Sequence, residues 1–434
     1  MSRKEILTHT SFPVKASLII MGSGQLMYKQ WIKGILYLAV FVGTCFYMAI
    51  AGISDIAGFF TLGTQEADPW LGTEGDDSVI MLLRGLLAFI VIVAFLIIHR
   101  SNVRDILACD QKVRQGKTLP GFGKAVSIFL DKKFYLAALA IPVAGVLVFN
   151  VLPILFMILI SFTNYGGDIV PPKLVDWIGF DNFGKILALS EIKSTFFKIL
   201  GWNLIWAVAS TFLNYFGGLG LALLLNKQCV KGKSFWRAFP ILAYAVPGFI
   251  TLLAFKFLFS YGGPINYYIT LHGGDAIGFL DIDAGLKAKL IGLVVNAWIS
   301  IPTSMLLATG ILSNMNTDLY EAASIDGATK WKQFTKITLP FVIFSTTPTL
   351  ITSFIGNFNN FGVFYFLRGG LYMDGYFLAS DTDLLINWLY NLSIDNNYYG
   401  IGAAVSLIIF VITSIFSLTI YVRSAAYKKE DTFR

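Results

Sequence analysis

The sequence has little charge and few of the side chains that build catalytic or metal sites. Charged residues make up 14% of the 434 residues, whereas a soluble domain carries about a quarter. The three cysteines, Cys45, Cys109 and Cys229, are too scattered for a disulfide framework, and the three histidines lie equally far apart. We therefore predict no disulfide scaffold and no metal site, and no Ser/His/Asp or Cys/His arrangement has support.

Apolar residues dominate instead, at 56% of the chain with a mean hydropathy of +0.68. Apolar runs recur along the whole length, and each is near the roughly 20 residues that cross a hydrocarbon core. The sequence therefore predicts an all-α polytopic membrane protein with eight transmembrane helices. The basic start is followed by an apolar run without a small-residue cleavage site, which predicts a retained anchor. We place the spans at residues 31–53, 79–98, 136–162, 196–225, 238–259, 290–312, 339–361 and 402–422.

Basic residues alternate between the connections of these spans. One set of connections, including both termini and residues 313–338, holds 24 lysines and arginines, whereas the other set holds 6. Lysine and arginine concentrate on the cytoplasmic side of membrane proteins. We therefore predict that both termini and residues 313–338 are cytoplasmic, in a bacterial cytoplasmic membrane. The net charge of +7 then reflects these loops and predicts no nucleic-acid partner.

Two short segments imitate the end of a phosphate-binding loop. Gly116-Lys117-Thr118 and Gly232-Lys233-Ser234 carry the right final residues, but Gln111 and Lys227 stand where the loop needs a glycine. Neither segment is flanked by a strand–helix pattern. We therefore predict that the chain is not an enzyme and binds no cofactor, so a transporter built on it needs a separate ATPase.

The stretch 321–340 carries charges between two apolar runs. Asp318 or Thr317 is expected to cap a helix, with Glu321 at the third position as in a capping box. Gly327 is expected to end this helix, because glycine adopts the left-handed conformation that closes helices. The pattern predicts a first short helix at a membrane surface.

A second short helix is predicted over residues 330–336, capped by Thr329. Pro340 is expected to open the next apolar run as a first-turn proline. The whole segment is therefore predicted to be helix–turn–helix, with Glu321 and Gly327 at its joint.

This segment resembles the coupling loop in the membrane subunits of bacterial ATP-driven importers. The shared features are Glu-Ala-Ala at 321–323, a glycine six residues after the glutamate, and Ile-x-Leu-Pro at 337–340. Over residues 134–421 the chain is most similar to the maltose/maltodextrin permease family, as the first permease subunit of the pair. The resemblance implies that the loop binds a partner ATPase through Glu321, Ala322, Ala323, Asp326, Gly327, Ala328, Lys330 and Pro340.

The resemblance also implies a domain organisation. Residues 134–425 form the permease core, with the coupling loop at 316–340, and residues 426–434 form a cytoplasmic tail. Residues 1–133 hold a cytoplasmic segment, two peripheral spans and a basic loop. About 33 residues separate the third and fourth spans, too few for the large extracytoplasmic domain of many Gram-negative members. This departure points to the Gram-positive type, whose binding protein is usually a lipoprotein.

Amide side chains inside the spans suggest a solute site. Asn357 and Asn360 are three residues apart, so we expect them on one helix face. Buried amides are costly in lipid unless they find partners, and sugars offer many hydroxyl groups. The alternative is that the asparagines only join helices. The resemblance implies sugar contacts at Tyr244, Gly248, Asn296, Ile299, Ser300, Thr303, Gly356, Asn357 and Asn360, of which Gly248, Ser300, Thr303 and Gly356 differ from the maltose-type pattern.

Small residues in the fourth span predict close helix packing. Gly217, Gly218 and Gly220 lie together there, with Asn203 and Asn214 on the same span. Small residues let helices approach closely, and we expect the neighbour to be a second permease subunit.

The sequence therefore predicts a permease subunit for maltose or maltodextrin. Its expected partners are a second, homologous permease, two copies of an ATP-binding subunit that bind ATP and Mg, an extracytoplasmic sugar-binding lipoprotein, the oligosaccharide and membrane lipid. An importer of raffinose-type or galacto-oligosaccharides, or of glycerol phosphate, remains an alternative. An ion-coupled secondary transporter is a second alternative, although no ionisable residue stands convincingly in mid-span.

Overall fold

The computed structural model describes residues 11–423 except residues 69, 71 and 228. The predicted cytoplasmic tail, 426–434, lies outside the described residues. The chain divides into two compact units, Met1–Gly179 and Phe180–Arg434. The described parts of both units are helical, with three isolated β-bridges and no strand among them. The all-α fold class is confirmed, and the predicted division at residue 133 stays a prediction.

The described part of the first unit holds seven α-helices. Asp77 caps the long helix that carries the second span, because its carboxylate accepts from the backbone N–H of Val79 and Ile80. The helices are α1 Phe12–Ile19, α2 Ser23–Met27, α3 Trp31–Tyr47, α4 Ile53–Thr61, α5 Ser78–Arg114, α6 Phe122–Val146 and α7 Leu152–Ile160, with π-helical turns Met48–Gly52 and Leu147–Val151 between α3 and α4 and between α6 and α7.

Among its described residues, the second unit holds twelve further α-helices. Two π-helical turns, Phe334–Thr338 and Asn391–Asp395, continue helices within it. The helices are α8 Asp181–Ala188, α9 Ser190–Asn226, α10 Lys233–Ala245, α11 Gly248–Leu258, α12 Pro264–Leu271, α13 Gly285–Ser313, α14 Asp318–Ile325, α15 Lys330–Gln333, α16 Leu339–Phe358, α17 Gly362–Arg368, α18 Leu385–Tyr390 and α19 Tyr399–Arg423.

Seven helical stretches are long and apolar enough to cross a membrane, or eight if α10 and α11 together form one span. These two helices bend by 88°. The bend follows from Pro247, which has no N–H to donate and holds Val246 in an extended conformation. The prediction of about eight spans is confirmed, and the fifth span is broken.

Close packing of α9 against α13 forms the centre of the second unit. A Cβ on Gly218 would lie 2.4 Å from the Cβ of Ser304 and 2.7 Å from the backbone nitrogen of Met305. A Cβ on Gly217 would lie 2.8 Å from Ile301. The predicted packing role of these two glycines is confirmed. Both glycines contact a helix of this chain, whereas Gly220 meets nothing within 4 Å, and the expected contact with a second permease subunit stays a prediction.

Arg368 joins three segments at one end of the second unit. It is 3% exposed, and its Nη2 donates to two backbone carbonyls of residues 281 and 282, each at 2.6 Å. Its Nη1 donates to Asp381 at 2.7 Å and to Thr382 at 3.0 Å, and its Nε donates to Leu280 at 3.2 Å. A buried guanidinium with all these partners fixes the connections after α12 and α17.

A second carboxylate beside this network, Asp383, is 5% exposed. It accepts from the backbone N–H of Ser380 at 2.8 Å and from Asn391 at 3.4 Å. Burial raises the pKa of Asp383 from 3.8 to about 6. The unfolded chain therefore gives up this proton at lower pH than the folded chain does.

We expect the stability contribution of Asp383 to be largest below pH 4 and to fall as the pH rises to about 6. Above that pH, the ionised Asp383 lowers the free energy of unfolding by an amount on the order of 3 kcal/mol for a shift of this size. Asp383→Asn should therefore raise the unfolding temperature at pH 8 and change it little at pH 4. Thermal unfolding in detergent at both pH values measures this. The exposed Asp374→Asn is the control, and an Asp383→Asn effect independent of pH would contradict the prediction.

Candidate functional site

The first helix of the predicted coupling loop, α14, begins differently from the prediction. Asn316 accepts from the backbone N–H of Asp318 through its Oδ1 at 2.9 Å. Thr317 makes no side-chain cap, and Glu321 is exposed without a capping box. Thr317 stands at the N-cap position, but the predicted side-chain cap was wrong, and the side chain of Asn316 satisfies the N–H of the first helical residue instead.

The end of α14 is as predicted. Gly327 has φ +76°, its N–H donates to the Ser324 carbonyl at 3.1 Å, and the Ala328 N–H donates to the Ala323 carbonyl at 2.8 Å. These two bonds form a Schellman motif, which requires the left-handed conformation at the glycine. Gly327 therefore sets the direction in which the chain leaves the helix.

The next helix continues without interruption into the seventh span. Thr329 caps it as predicted, accepting from the Lys332 N–H at 3.3 Å. The π-helical turn Phe334–Thr338 then joins α15 to α16. Pro340 lies in the first turn of α16, as predicted, although the π-helical turn joins α16 to the helix before it. Pro340 has no N–H for a preceding carbonyl, and the wider turn before it accommodates the missing bond without ending the helix.

The side chain of Gln333 connects the two halves of the loop. It is 3% exposed, and its Nε2 donates to Ser324 Oγ at 2.8 Å and to the Ala328 carbonyl at 3.3 Å. Its Oε1 accepts from Lys330 Nζ at 3.2 Å. Sequence analysis missed this residue, because a glutamine among lysines on a short helix looks solvent-exposed.

A second contact holds α14 to the same helix. The hydroxyl of Tyr320 lies 2.8 Å from the hydroxyl of Thr338 and 3.4 Å from Met315 Sδ. Thr338 is buried and Tyr320 is half-buried. With Gln333, this contact makes α14 and the start of the seventh span one connected piece.

The loop presents apolar and charged side chains together on its surface. Ile325 is 87% exposed and Trp331 is 71% exposed. An exposed apolar patch rimmed by charged residues is typical of a contact surface. Of the predicted coupling residues, Ala323 and Ala328 are half-buried, and the exposed ones are Glu321, Ala322, Asp326, Gly327, Lys330 and Pro340.

Two of the predicted sugar-contact residues meet inside the helix bundle. Asn357 donates from Nδ2 to Thr211 Oγ1 at 3.0 Å, and its Oδ1 lies 3.5 Å from the Nδ2 of Asn296. Asn296 and Asn357 are buried, at 4% and 9% exposed. The structure therefore brings α9, α13 and α16 together through these buried polar side chains.

Asn360 does not share a helix face with Asn357, and that prediction is wrong. α16 ends at Phe358, and Asn360 lies in the break before α17. Its Oδ1 accepts from the Val363 N–H at 3.1 Å and so caps the next helix. The predicted periodicity assumed a helix that continues through residue 361.

Two other asparagines supply partners for the backbone at this break. Asn203 donates to the Phe358 carbonyl at 3.1 Å and accepts from the Leu385 N–H at 2.9 Å. Asn387 donates to the Phe361 carbonyl at 2.8 Å. The break is thus stabilised by side chains from α9 and α18, and Asn203 has the packing role predicted for it.

The remaining predicted sugar contacts lie on more open surfaces. Tyr244, which is 59% exposed, and Gly248 stand on either side of the bend between α10 and α11. Ile299 and Ser300 are half-buried on α13, while Thr303 and Gly356 are exposed. Their roles stay predictions.

The chain is similar in sequence to known transport proteins. Residues 215–426 match the family described as "Binding-protein-dependent transport system inner membrane component". The galactooligosaccharides transport system permease protein GanP of Bacillus subtilis is 34% identical over 418 residues, covering 95% of this chain and 97% of GanP. The maltodextrin transport system permease protein MalC of Streptococcus pneumoniae is 32% identical over 431 residues, covering 96% of this chain and 98% of MalC.

A solved structure has the same fold. A chain in the crystal structure of a bacterial ABC transporter involved in the import of the acidic polysaccharide alginate matches with a TM-score of 0.56 and 21% identity. The match covers 69% of this chain and 98% of that chain.

The Gln333 contacts predict a measurable local effect. Gln333→Leu removes the donors to Ser324 and Ala328, and each such bond contributes about 1 kcal/mol. We expect the backbone amides of residues 318–329 to exchange with deuterium at least about tenfold faster. Hydrogen-exchange mass spectrometry measures this.

The control is Thr335→Val, since the Thr335 hydroxyl bonds only to carbonyls of its own helix. Equal exchange rates in the wild type and Gln333→Leu would show that Gln333 does not hold the loop.

Proposed function

Because the chain belongs to the family of binding-protein-dependent transport system inner membrane components, we propose that it forms part of the translocation path of an ATP-driven maltodextrin importer. The chain is a multi-pass ABC importer permease, of the type without a large domain after the third span. The sugar, the partner subunits, the orientation and the coupling route are the parts that we propose.

The continuous helix below the loop carries this proposal. α14 is joined through Gln333 and Tyr320 to a helical stretch that runs from Lys330 to Phe358. At 1.5 Å per residue this stretch is about 40 Å long. A displacement of α14 is therefore passed along one helix to Asn357, where α9, α13 and α16 meet. Movement at the loop would change the hydrogen bonds among Asn296, Asn357 and Thr211 inside the bundle.

The loop surface fits a groove on an ATPase. An amphipathic helix binds a groove through exposed apolar side chains flanked by charges, and here these are Ile325, Trp331, Glu321 and Lys330. We propose that two copies of an ATP-binding subunit drive the transporter, one on this loop and one on a second, homologous permease. The loop and both termini would face the cytoplasm, and an extracytoplasmic lipoprotein would deliver the sugar.

Oligosaccharide is the solute that the interior chemistry favours. Asn296, Asn357 and Thr211 offer donors and acceptors that suit hydroxyl groups, and Tyr244 offers an aromatic face. The names of the relatives give two candidates, maltodextrin and galactooligosaccharides, at similar identity. We propose maltodextrin, because Tyr244, Asn296, Asn357 and Asn360 agree in type with the maltose-type pattern, and galactooligosaccharide is the second candidate.

Coupling is tested at the loop glycine. Gly327→Pro places a residue restricted to φ near −65° at φ +76° and removes the N–H bonded to Ser324. We expect binding-protein docking to remain and sugar-stimulated ATP hydrolysis to be abolished, measured on the assembled transporter in proteoliposomes.

A matched control exists in the first unit. Gly116 also follows a helix, with φ +69° and an N–H that donates to Val113, so Gly116→Pro carries the same backbone change elsewhere. Sugar-stimulated hydrolysis that survives Gly327→Pro would reject the coupling role. Uptake without ATP, driven by an ion gradient, would instead support a secondary transporter.

Substrate is tested by uptake into proteoliposomes. We expect maltotriose to be imported in preference to a galactotriose, and Asn357→Ala to raise the KM for maltotriose by about tenfold, as for the loss of one or two hydrogen bonds. Asn214→Ala, on α9 and also buried, serves as the control. Preferred uptake of the galactotriose would favour the second candidate, and an unchanged KM would remove Asn357 from the site.

A further inference from the structure

A groove of about 800 Å³ lies within the first unit, among α3, α5 and α6. Its basic lining residues are Lys33, Arg100, Arg104 and Lys133. The rest of its wall is mainly apolar, with Leu36, Val40, Ile97, Val126 and Phe129. A cavity with a cationic rim and an apolar wall suits an amphiphile with a negative head.

The two long helices that form the groove run antiparallel. Lys33 bonds to Asp105 at 2.9 Å, and the Tyr37 hydroxyl lies 3.3 Å from that of Ser101. Further along, the rings of Phe41 and Phe95 are 6.2 Å apart. On each helix the basic residues of the groove therefore lie toward the same end, and the apolar residues lie deeper in the span.

A third element covers the basic end. α6 is kinked at Lys133, where φ is −134° and ψ is 30°. The part before the kink, residues 122–132, carries Val126 and Phe129 on the groove side. This part has the length and mixed composition of a helix that lies in a membrane interface, whereas the part after the kink is apolar enough to cross. Lys133 therefore lies between the part of α6 with interfacial composition and the part that is apolar enough to cross.

Three of the four cations have no acidic partner among the residues that the structure describes. Lys33 is neutralised by Asp105. Arg100, Arg104 and Lys133 form no ion pair with any carboxylate in the part of the chain that the structure describes. Arg100 and Arg104 are four residues apart, so they share one helix face. Cations beside an apolar wall are expected to attract an anion whose remainder is apolar.

We propose that this groove binds an anionic phospholipid, with its phosphate at Arg100, Arg104 and Lys133 and an acyl chain along Leu36 and Val40. The proposal goes beyond transport and depends only on insertion of α3 and α5 in a membrane. The predicted orientation puts the groove in the cytoplasmic leaflet, where a bacterial membrane exposes anionic headgroups.

The test compares two lipids that share acyl chains. Purified full-length protein in detergent is titrated with phosphatidylglycerol or phosphatidylcholine, and native mass spectrometry counts the lipids bound. We expect one phosphatidylglycerol to be retained with at least about tenfold preference, since each cation near an anionic head contributes about fivefold. The triple variant Arg100→Gln, Arg104→Gln, Lys133→Gln should lose this preference.

The control triple variant is Lys112→Gln, Lys117→Gln, Lys132→Gln. It removes the same charge from the same two helices and their connection, outside the groove. A second variant, Val40→Trp, fills the apolar part, keeps every cation, and should also weaken phosphatidylglycerol binding.

Several results would overturn the proposal. The first is an equal loss of preference in both triple variants, which would indicate general charge attraction. The second is displacement of the lipid by inorganic phosphate at matched concentration, which would indicate a site for a free anion. The third is a wild-type protein that shows no preference between the two lipids, which would indicate that the groove does not select an anionic headgroup.

Discussion

A backbone polar group inside a hydrocarbon layer needs a hydrogen-bond partner, and this requirement explains much of the second unit. The helical stretch that starts at Lys330 is interrupted after Phe358, which leaves carbonyls without helical partners. Asn203 and Asn387 supply donors to two of these carbonyls, and Asn360 caps the helix that follows. Of the asparagines predicted to contact sugar, Asn360 is therefore occupied with the chain's own backbone.

Because some asparagines bond to the backbone, fewer remain as candidates for the proposed solute site. Asn296 and Asn357 contact each other and Thr211 rather than the backbone at the break. They also lie near the end of the helix that begins at the coupling loop. A helix break lies just beyond Asn357, between this helix and the network around Arg368.

The need for partners also explains a feature of the first unit, where two arginines of α5 lack one among the described residues. Both carboxylates at the basic end of α5 are already engaged: Asp105 with Lys33, and Asp110 with Arg114, Tyr28 and Ser11. Arg100 and Arg104 on the same helix therefore have no acidic partner among the described residues. Whatever neutralises them comes from outside this set, and a lipid phosphate has both the charge and the apolar continuation that the groove requires.

The sequence by itself determined the helical class, the approximate spans and the glycine stop at Gly327, because these depend on local hydropathy and on backbone conformation at single residues. It could not place side chains that act across helices. Gln333 and Asn316 were missed and Asn360 was misplaced, because their partners depend on where a helix breaks or which segment folds back. Only the tertiary structure decided which amides meet, since buried polar groups pair by proximity in space and not by spacing along the chain.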